Sequence, residues 1–487
     1  YPSAGSEPDM MNYLLFSPEF TLTAVAFGVL GIDLFVSQDK KVYLPALSLV
    51  GLVGVFVLSL CYLWDKDTTL YDGLFLVDNF SLFFKAFFLV LGVLVVLASV
   101  DYVKKHLSRP GEYYGILLFS ILGMMLMASS GELLTAYIAL ELLSFSLYVL
   151  VSYGRNGLKP SEAGVKYILL GAFASALLLY GISQVYGMLG TTRFAEIHAA
   201  LLVDGTPLNS AVLVGLVLII AGLGFKIAAV PFHMWAPDVY EGAPTPVTAY
   251  LAVGSKAAAF ALMLRLFSQA FMPVFDDWQI ILVILAALTM TVGNLVALAQ
   301  QNIKRMLAYS SVGQVGYLLM GMAALSPLAA NGVIFHLVGY GVTNLAAFMC
   351  VIIFYNATSK EEISDFAGLA DRSPFVAMVL SVSLFSLAGL PFFAGFTTKF
   401  YLFAAAADGG LLWLVGLAIA NSLISLYYYM MVMKQMYMVT ADDSSHLSVS
   451  MFSRGVLGML LVGIIVIGIY PGPLVNVIGV ATGAILP

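Results

Sequence analysis

The chain has 487 residues, 61% hydrophobic and only 10% charged, with a mean hydropathy of +0.99, against about 25% charged in an ordinary soluble domain. This excludes a soluble enzyme and a basic nucleic-acid binder, and describes a polytopic membrane protein. The net charge of −6 carries little weight, because in membranes the placement of Lys and Arg matters more than their sum.

Residues 1–19 are polar and contain neither Lys nor Arg, unlike the basic start of a signal peptide or an Arg-rich transit peptide. They read as a short exposed tail, although Tyr1 is not an initiator Met and leaves open a trimmed start. Apolar runs of about 20 residues then predict fourteen helices, at 20–36, 42–64, 79–100, 112–129, 132–153, 163–187, 210–234, 246–270, 278–300, 305–324, 329–355, 374–406, 411–434 and 454–474. A barrel would instead alternate polar and apolar residues in short strands, so the predicted class is an all-α polytopic membrane protein. Cys61 and Cys350 fall in apolar segments near opposite faces of the bilayer, which argues against a disulfide or a metal site.

Lys and Arg in the loops set the orientation. Alternate loops collect thirteen of them: Lys40, Lys41, Lys104, Lys105, Arg109, Arg155, Lys159, Lys304, Arg305, Lys360, Arg372, Lys434 and Arg454. The other face has only Lys66 and Arg193. The basic face is therefore expected to be cytoplasmic and both termini outside. Six basic residues remain inside predicted helices: Lys85, Lys166, Lys226, Lys256, Arg265 and Lys399. Arg265 and Lys85 are near helix ends and read as snorkelling side chains. Lys166, one turn inside predicted helix 6, fits snorkelling and pathway readings equally.

Lys226, Lys256 and Lys399 are too deep for that. A Lys near mid-bilayer costs about 2.5–3.5 kcal/mol, and such residues by default mark ion or proton pathways. Two of them frame 222–256, where an apolar helix leaves through a Pro- and Gly-rich turn and re-enters the apolar phase. Gly222, Gly224 and Pro231 disturb predicted helix 7, because Pro231 cannot donate to the carbonyl of Ile227 and crowds it. GLPFFAGFTTK (389–399) repeats the device in predicted helix 12. Paired interrupted helices point to inverted repeats. Helices 4–8 and 9–13 would form them, since an odd number of helices inverts the second copy. The expected parts are 1–110 (helices 1–3), 111–270 (first repeat), 271–434 (second repeat) and 435–487 (helix 14), within one membrane domain spanning 1–487.

Glu141 lies mid-helix with Ser144 one turn on, and is either a structural partner for a Lys or a protonatable relay. Burial disfavours both charges and a close ion pair opposes that, so a Glu141–Lys226 contact that forms and breaks would load and release a proton. His233, seven residues after Lys226, shares its face if the kink at Pro231 is modest, and is otherwise a packing His. His336 is deeper and could bridge Lys256 to Lys399. Glu132 at a helix start and Asp33 near a helix end need only local explanations. Tyr309, Ser310, Ser311 and Gln314 make predicted helix 10 polar, holding water chains or serving as interhelical glue. There is no GxxxxGK[ST], GxGxxG, CxxC or His/Cys/carboxylate cluster, so neither ATP hydrolysis nor electron transfer is expected in this chain. The drive must come from a partner or an ion gradient.

At these residues the sequence resembles the antiporter-like membrane subunits of respiratory complex I, and among them the N subunit of bacterial NADH:quinone oxidoreductase. FKIAAVPFHMWAPDVYEGAPTPVTA (225–249) carries the resemblance, supported by LELLSFSLYVL (140–150), EAGVKYILLGAFASALLLYG (162–181), NIKRMLAYSSVGQVGY (302–317) and LAGLPFFAGFTTKFYLF (387–403). PFFAGFTTKF departs from the commoner PPxAGFxxKF, and His336 stands where an aromatic is more usual. The resemblance implies a proton pathway through Glu141, Lys226, Lys256 and Lys399, with Lys166 and His233 at further implicated positions. It also implies no cofactor in this chain, NADH, FMN, iron–sulfur clusters and quinone being bound by other subunits. The implied partners are an antiporter-like M subunit, small K/J/A-type membrane subunits, the peripheral redox arm and the lipid bilayer, without nucleic acid. A subunit of a multi-subunit cation/proton antiporter or a membrane-bound hydrogenase is the alternative. A structural scaffold with dispensable lysines and an autonomous small-solute transporter are readings of other classes.

Overall fold

The computed structural model describes residues 13–154, 157–202, 209–441 and 445–486. The first twelve residues of the expected tail and Arg155 lie outside these. Helices account for nearly all of the described chain: α1 (Ser17–Phe35), α2 (Leu44–Leu63), α3 (Asn79–His106), α4 (Pro110–Ser129), α5 (Leu133–Val151), α6 (Leu158–Leu189), α7a (Ser210–Ile227), α7b (Trp235–Gly242), α8 (Thr245–Gln269), α9 (Phe275–Ala297), α10 (Ile303–Ala323), α11 (Pro327–Thr358), α12a (Pro374–Ala388), α12b (Ala394–Asp408), α13 (Leu412–Met438), α14 (Met451–Ile469) and α15 (Gly472–Gly483). Among the described residues, twelve helices are long and apolar enough to cross a membrane. At 21 residues α10 also has the length, but Tyr309, Ser310, Ser311 and Gln314 lower its hydropathy. Nearly all of it is buried, so protein rather than lipid surrounds those polar groups.

Three features were not anticipated from the sequence. A hairpin, β1 (Thr68–Leu70) with β2 (Phe75–Val77), covers one end of the bundle. Tyr71, Asp72 and Gly73 at its tip all have positive φ, the geometry that tight hairpin turns require and that Asp-Gly signals. A short helix follows α6 at Phe194–Leu201, and α15 follows α14 after Pro471.

Helix 8 is the core of the bundle, buried along its whole length, with α10 and α11 beside it, while α1, α2, α13 and α14 are largely peripheral. Glycines let helices pack closely: a Cβ at Gly123 would meet the backbone of Leu143 in α5, and one at Gly293 would meet the backbone of Gly313 in α10. The same two junctions carry matching backbone bonds. Leu133 N donates to Thr192 O (2.9 Å) and Phe194 N to Gly131 O (3.0 Å); Ile303 N donates to Glu361 O (3.0 Å) and Ile363 N to Gln301 O (2.8 Å). Thus the start of α5 is laced to the loop after α6, and the start of α10 to the loop after α11.

The apolar run of predicted helix 7 is not one helix to residue 234. It stops at Ile227 and resumes at Trp235. Ala228 has φ 60°, Ala228 N donates to Phe225 O (3.0 Å) and Ala229 N to Gly224 O (2.8 Å), a Schellman ending. Pro231, three residues on, could not have continued the ladder. The end of α12a is built alike: Gly389 has φ 90°, Gly389 N donates to Ser386 O and Leu390 N to Phe385 O, both at 3.0 Å.

Arg265 and Lys85 do not snorkel. The Arg265 guanidinium is fully buried and grips Asp78 through two bonds of 2.7 and 2.8 Å, while its Nε donates to Ala128 O at 3.0 Å. Lys85, equally buried, pairs with Glu19 of α1 at 2.8 Å. Hydropathy alone places both near helix ends, but their acids come from distant segments that the sequence does not bring together. Asp33 pairs with Lys41 at 3.0 Å, a local role.

Removing one side of the Asp78–Arg265 pair strands a buried charge, so Arg265→Met should destabilise the protein by about 3–5 kcal/mol. The double variant Asp78→Leu/Arg265→Met should recover all but about 1 kcal/mol, the helix cap that Asp78 supplies to Ser81 N. Melting temperatures of the purified protein in detergent test this; a double variant no better than the single one contradicts it.

Candidate functional site

Three polar clusters lie in the bundle, each centred on a buried lysine. In the first, Lys226 stands on the last turn of α7a, where the carbonyl end of a helix favours a cation. Its Nζ donates to Ser144 Oγ at 2.6 Å and Tyr148 Oη at 3.3 Å, both on α5. One turn back on α5, half-buried Glu141 accepts from Ser175 Oγ of α6 at 2.5 Å. Glu141 and Lys226 are therefore neighbours without an ion pair, each held by a hydroxyl.

Lys256 of α8 forms the second cluster. A single π turn, Leu251–Ser255, precedes it; such bulges leave a backbone carbonyl unsatisfied and recur at functional sites. Tyr340 Oη takes up the Ala252 carbonyl at 3.2 Å. Lys256 Nζ donates to Ser311 Oγ of α10 at 2.6 Å and lies 5.8 Å from the Tyr240 ring.

The third cluster spans α10, α11, α12 and α13. His336 Nε2 bonds Gln314 Oε1 at 3.1 Å and its Nδ1 bonds Thr398 Oγ1 at 3.0 Å. Gln314 Nε2 donates to Leu387 O at 3.1 Å. Lys399 Nζ reaches the same carbonyl at 2.8 Å, Ala388 O at 3.3 Å and Ser422 Oγ at 3.2 Å. Leu387 and Ala388 end α12a, so their carbonyls are among those a helix C-terminus leaves free. Lys399, on α12b, caps the half-helix that precedes its own. Ser311 and Gln314 are one turn apart on α10, which thus carries a partner for the second cluster and one for the third.

The remaining candidates sit elsewhere. Because the helix stops at Ile227, His233 is in the non-helical link and does not share a face with Lys226. It is buried, its ring centroid lies 6.3 Å from that of Tyr309, and its Nδ1 has no hydrogen-bond partner. Lys166 is 41% exposed and pairs with Glu162 and Asp238, each at 2.7 Å. Asp238 also accepts from Arg305 at 2.7 Å, and Glu241 from Arg305 at 3.0 Å and Lys159 at 2.8 Å. These pairs clamp α7b between α6 and α10. Burial alone would raise the Asp238 carboxyl, but its bonds to Lys166 and Arg305 hold it below the ordinary range. Glu132 caps α5 through Thr135 N at 2.9 Å and accepts from Thr192 Oγ1 at 2.5 Å, a structural role.

Sequence reasoning missed Ser175, Tyr148, Thr398, Ser422, the bond from Tyr428 Oη to Asn294 Oδ1 at 2.9 Å, and Tyr429 as the partner of Ser310. Ser175, Tyr148 and Ser422 are ordinary polar residues in apolar helices, and only the fold sets them beside Glu141, Lys226 and Lys399. Among the described residues, no group of three His, Cys, Asp or Glu could hold a metal ion.

Residues 130–425 match a family model described as NADH:quinone oxidoreductase/Mrp antiporter, transmembrane. The chain is 43% identical over 476 residues to NADH-quinone oxidoreductase subunit N of Desulforamulus reducens, covering 98% of this chain and 99% of that one. It superposes with TM-score 0.78 and 30% identity on a chain of respiratory complex I from Thermus thermophilus, covering 94% of this chain and 98% of that one. A chain of an archaeal membrane-bound sulfane sulfur reductase matches with TM-score 0.85 and 25% identity over 98% of both.

The α7b clamp yields a prediction. Asp238→Asn weakens two partly exposed pairs worth roughly 0.2–1 kcal/mol each, so backbone hydrogen exchange through 235–242 should speed up a few-fold at neutral pH. In the unaltered chain the Asp238 contribution is complete above that residue's ordinary value of 3.8 and lost as pH falls through the lower folded value. Exchange corrected for intrinsic rate should therefore be flat from about pH 7 to pH 5; a rise across that window contradicts the assignment.

Proposed function

The chain belongs to the NADH:quinone oxidoreductase/Mrp antiporter transmembrane family, in its subunit N branch, and we propose that it is a proton-translocating membrane-arm subunit of an NADH:quinone oxidoreductase. Redox chemistry belongs to partner subunits, which hold NADH, FMN, iron–sulfur clusters and quinone. This chain moves protons outward along Glu141, Lys226, Lys256, His336 and Lys399. One observation carries the reading: three buried lysines in one bundle have hydroxyl or carbonyl partners rather than carboxylates. A serine hydroxyl both donates and accepts, so Lys226 and Lys256 keep a hydrogen bond whether or not they hold the extra proton.

Glu141 and Lys226 are the input pair of the cycle. With each held by a serine, the contact is open; closing it stabilises carboxylate and ammonium together, and reopening drives a proton onward. Energy reaches the chain from the neighbouring small K/J/A-type and M subunits. Lys166 and His233 act at the cytoplasmic mouth, the first through the α7b clamp and the second from the link.

The finer architecture belongs to the same proposal: fourteen crossings, with 111–270 and 271–434 as inverted repeats after accessory helices 1–3 (1–110) and before 435–487. Several pairs of features support the repeat. Gly123 precedes the cap Glu132, and Gly293 the cap Asn302, by nine positions each. The lacing of α5 to the loop after α6 recurs between α10 and the loop after α11. Both α7a and α12a end in the same backbone motif. The thirteen loop cations then face the cytoplasm of a bacterial inner membrane, with both termini outside. A subunit of a cation/proton antiporter or membrane-bound hydrogenase is the second reading, favoured by the fold it shares with the sulfane sulfur reductase chain. Co-purification with iron–sulfur peripheral subunits that oxidise NADH separates the two.

In an assembled complex, Glu141→Ala, Lys226→Ala, Lys256→Ala and Lys399→Ala should each lower proton pumping several-fold and depress coupled quinone reduction. Pumping measured in proteoliposomes decides the matter: variants that assemble and pump fully would remove the relay and leave a scaffold.

A further inference from the structure

A notch of about 330 Å³ lies outside the lysine clusters, at the bundle end that carries the β1–β2 hairpin. Its back wall is the first two turns of α3, at Leu82, Phe83 and Ala86; one side is the end of α2, from Leu60 to Trp64, and the other is α15, at Val480. Helices α2 and α15 each pack on α3 without extensive contact with one another. The face of α3 between them is therefore left uncovered by protein. Because α3 rises 1.5 Å per residue, the stretch from Asn79 to Ala86 is about 10 Å deep, most of the roughly 15 Å of hydrocarbon in one leaflet.

The interior of the notch is apolar and its borders are not. Trp64 and Asp65, at the end of α2, and Asn79, at the start of α3, stand where these helices leave the hydrocarbon, and Asn476 is exposed on α15. Trp is the residue that membrane–water interfaces favour. Asp65 supplies a carboxylate, while the two amides and the Trp64 indole supply N–H donors. No Lys or Arg lines the notch, and among the described residues Asp65 forms no ion pair. The loop beyond it adds Asp67 and Asp72 against Lys66. Borders of this composition repel an anionic headgroup and suit one that carries a primary ammonium beside its phosphate: the carboxylate faces the ammonium, and the N–H groups face phosphate and ester oxygens.

We propose that the notch is a binding site for a zwitterionic aminophospholipid of the phosphatidylethanolamine class, one acyl chain lying along α3 between α2 and α15 and the ammonium at Asp65. The site is separate from the pumping function and does not depend on it. The lipid supplies the packing that protein leaves out here. It joins α15, which at 12 residues is too short to cross the bilayer, to the accessory helices α2 and α3.

The test uses the assembled complex in vesicles of equal parts phosphatidylethanolamine and phosphatidylglycerol, with a trace of either lipid carrying a diazirine midway along one acyl chain. Photolabelling is mapped by mass spectrometry and scaled to that of exposed apolar residues on other helices, Phe27, Val50 and Val462. With one exposed ion pair setting the scale, the phosphatidylethanolamine reagent should label Leu82, Phe83 and Ala86 about threefold more than the phosphatidylglycerol reagent. Asp65→Asn should abolish that preference. Val480→Trp, at an exposed position, should fill the notch and bring labelling by both reagents down to the reference. Equal labelling by the two reagents in the parent, a preference that survives Asp65→Asn, or labelling that Val480→Trp leaves unchanged overturns the site. Labelling no greater than the reference does so too, as it would if a neighbouring subunit covered the notch. None of these outcomes reads proton pumping, so the function proposed above stands or fails separately.

Discussion

A helix that stops inside a membrane leaves its last carbonyls without donors, and each must be satisfied by protein, since lipid offers none. The organisation of this chain follows from that constraint. Both α7a and α12a end inside the bundle through a left-handed residue, Ala228 or Gly389. The end of α7a is finished by Trp235, whose Nε1 donates to Phe225 O at 2.8 Å, and keeps Lys226 in its last turn. That of α12a is finished by an ammonium reaching back from Lys399. The breaks therefore create the negative ends that make buried lysines tolerable, and the lysines satisfy what the breaks expose.

The same chain contains buried cations of a second kind. Arg265 with Asp78 and Lys85 with Glu19 are closed pairs, each cation facing a carboxylate within 3 Å. Such a pair holds its charges in place, because discharging either member strands the other. Both tie α3 to its neighbours, α8 through Arg265 and α1 through Lys85, so the fixed charges fasten the accessory helices to the core. The lysines with hydroxyl and carbonyl partners lie instead at three separate helix contacts, α7a with α5, α8 with α10, and α12b with α12a and α13. Fixed charge thus serves architecture, whereas the lysines without a carboxylate partner are the ones we propose to exchange protons.

Much of this was legible in the sequence, for a physical reason in each case. Apolar runs found the helices because a bilayer demands about 20 such residues at a time, and the depth of Lys226, Lys256 and Lys399 singled them out because each is costly there. Pro231 announced the break in helix 7, but not that the helix would stop a turn before it, since a Schellman ending depends on one backbone angle at Ala228. Arg265 and Lys85 were misplaced because depth along a helix says nothing of a partner brought in from another segment. Ser175, Thr398 and Ser422 were invisible because a serine or threonine in a membrane helix is ordinarily glue. The hairpin at 68–77 did carry its Asp-Gly signal, which the search for long apolar runs passed over.

Helix 10 connects these parts. It is the most polar of the long helices and is surrounded by protein, which allows it to present Ser311 to Lys256 and Gln314 to His336 one turn apart. At its N-terminal end it offers Lys304 to Glu361 and Arg305 to the α7b carboxylates. A small shift of α10 would therefore act on the clamp, the central lysine and the third cluster together. Three hydrogen-bonded islands separated by apolar packing need such a common element if they are to change state in order; in this chain α10 contributes to the second and third, while the first meets it through the clamp on α7b.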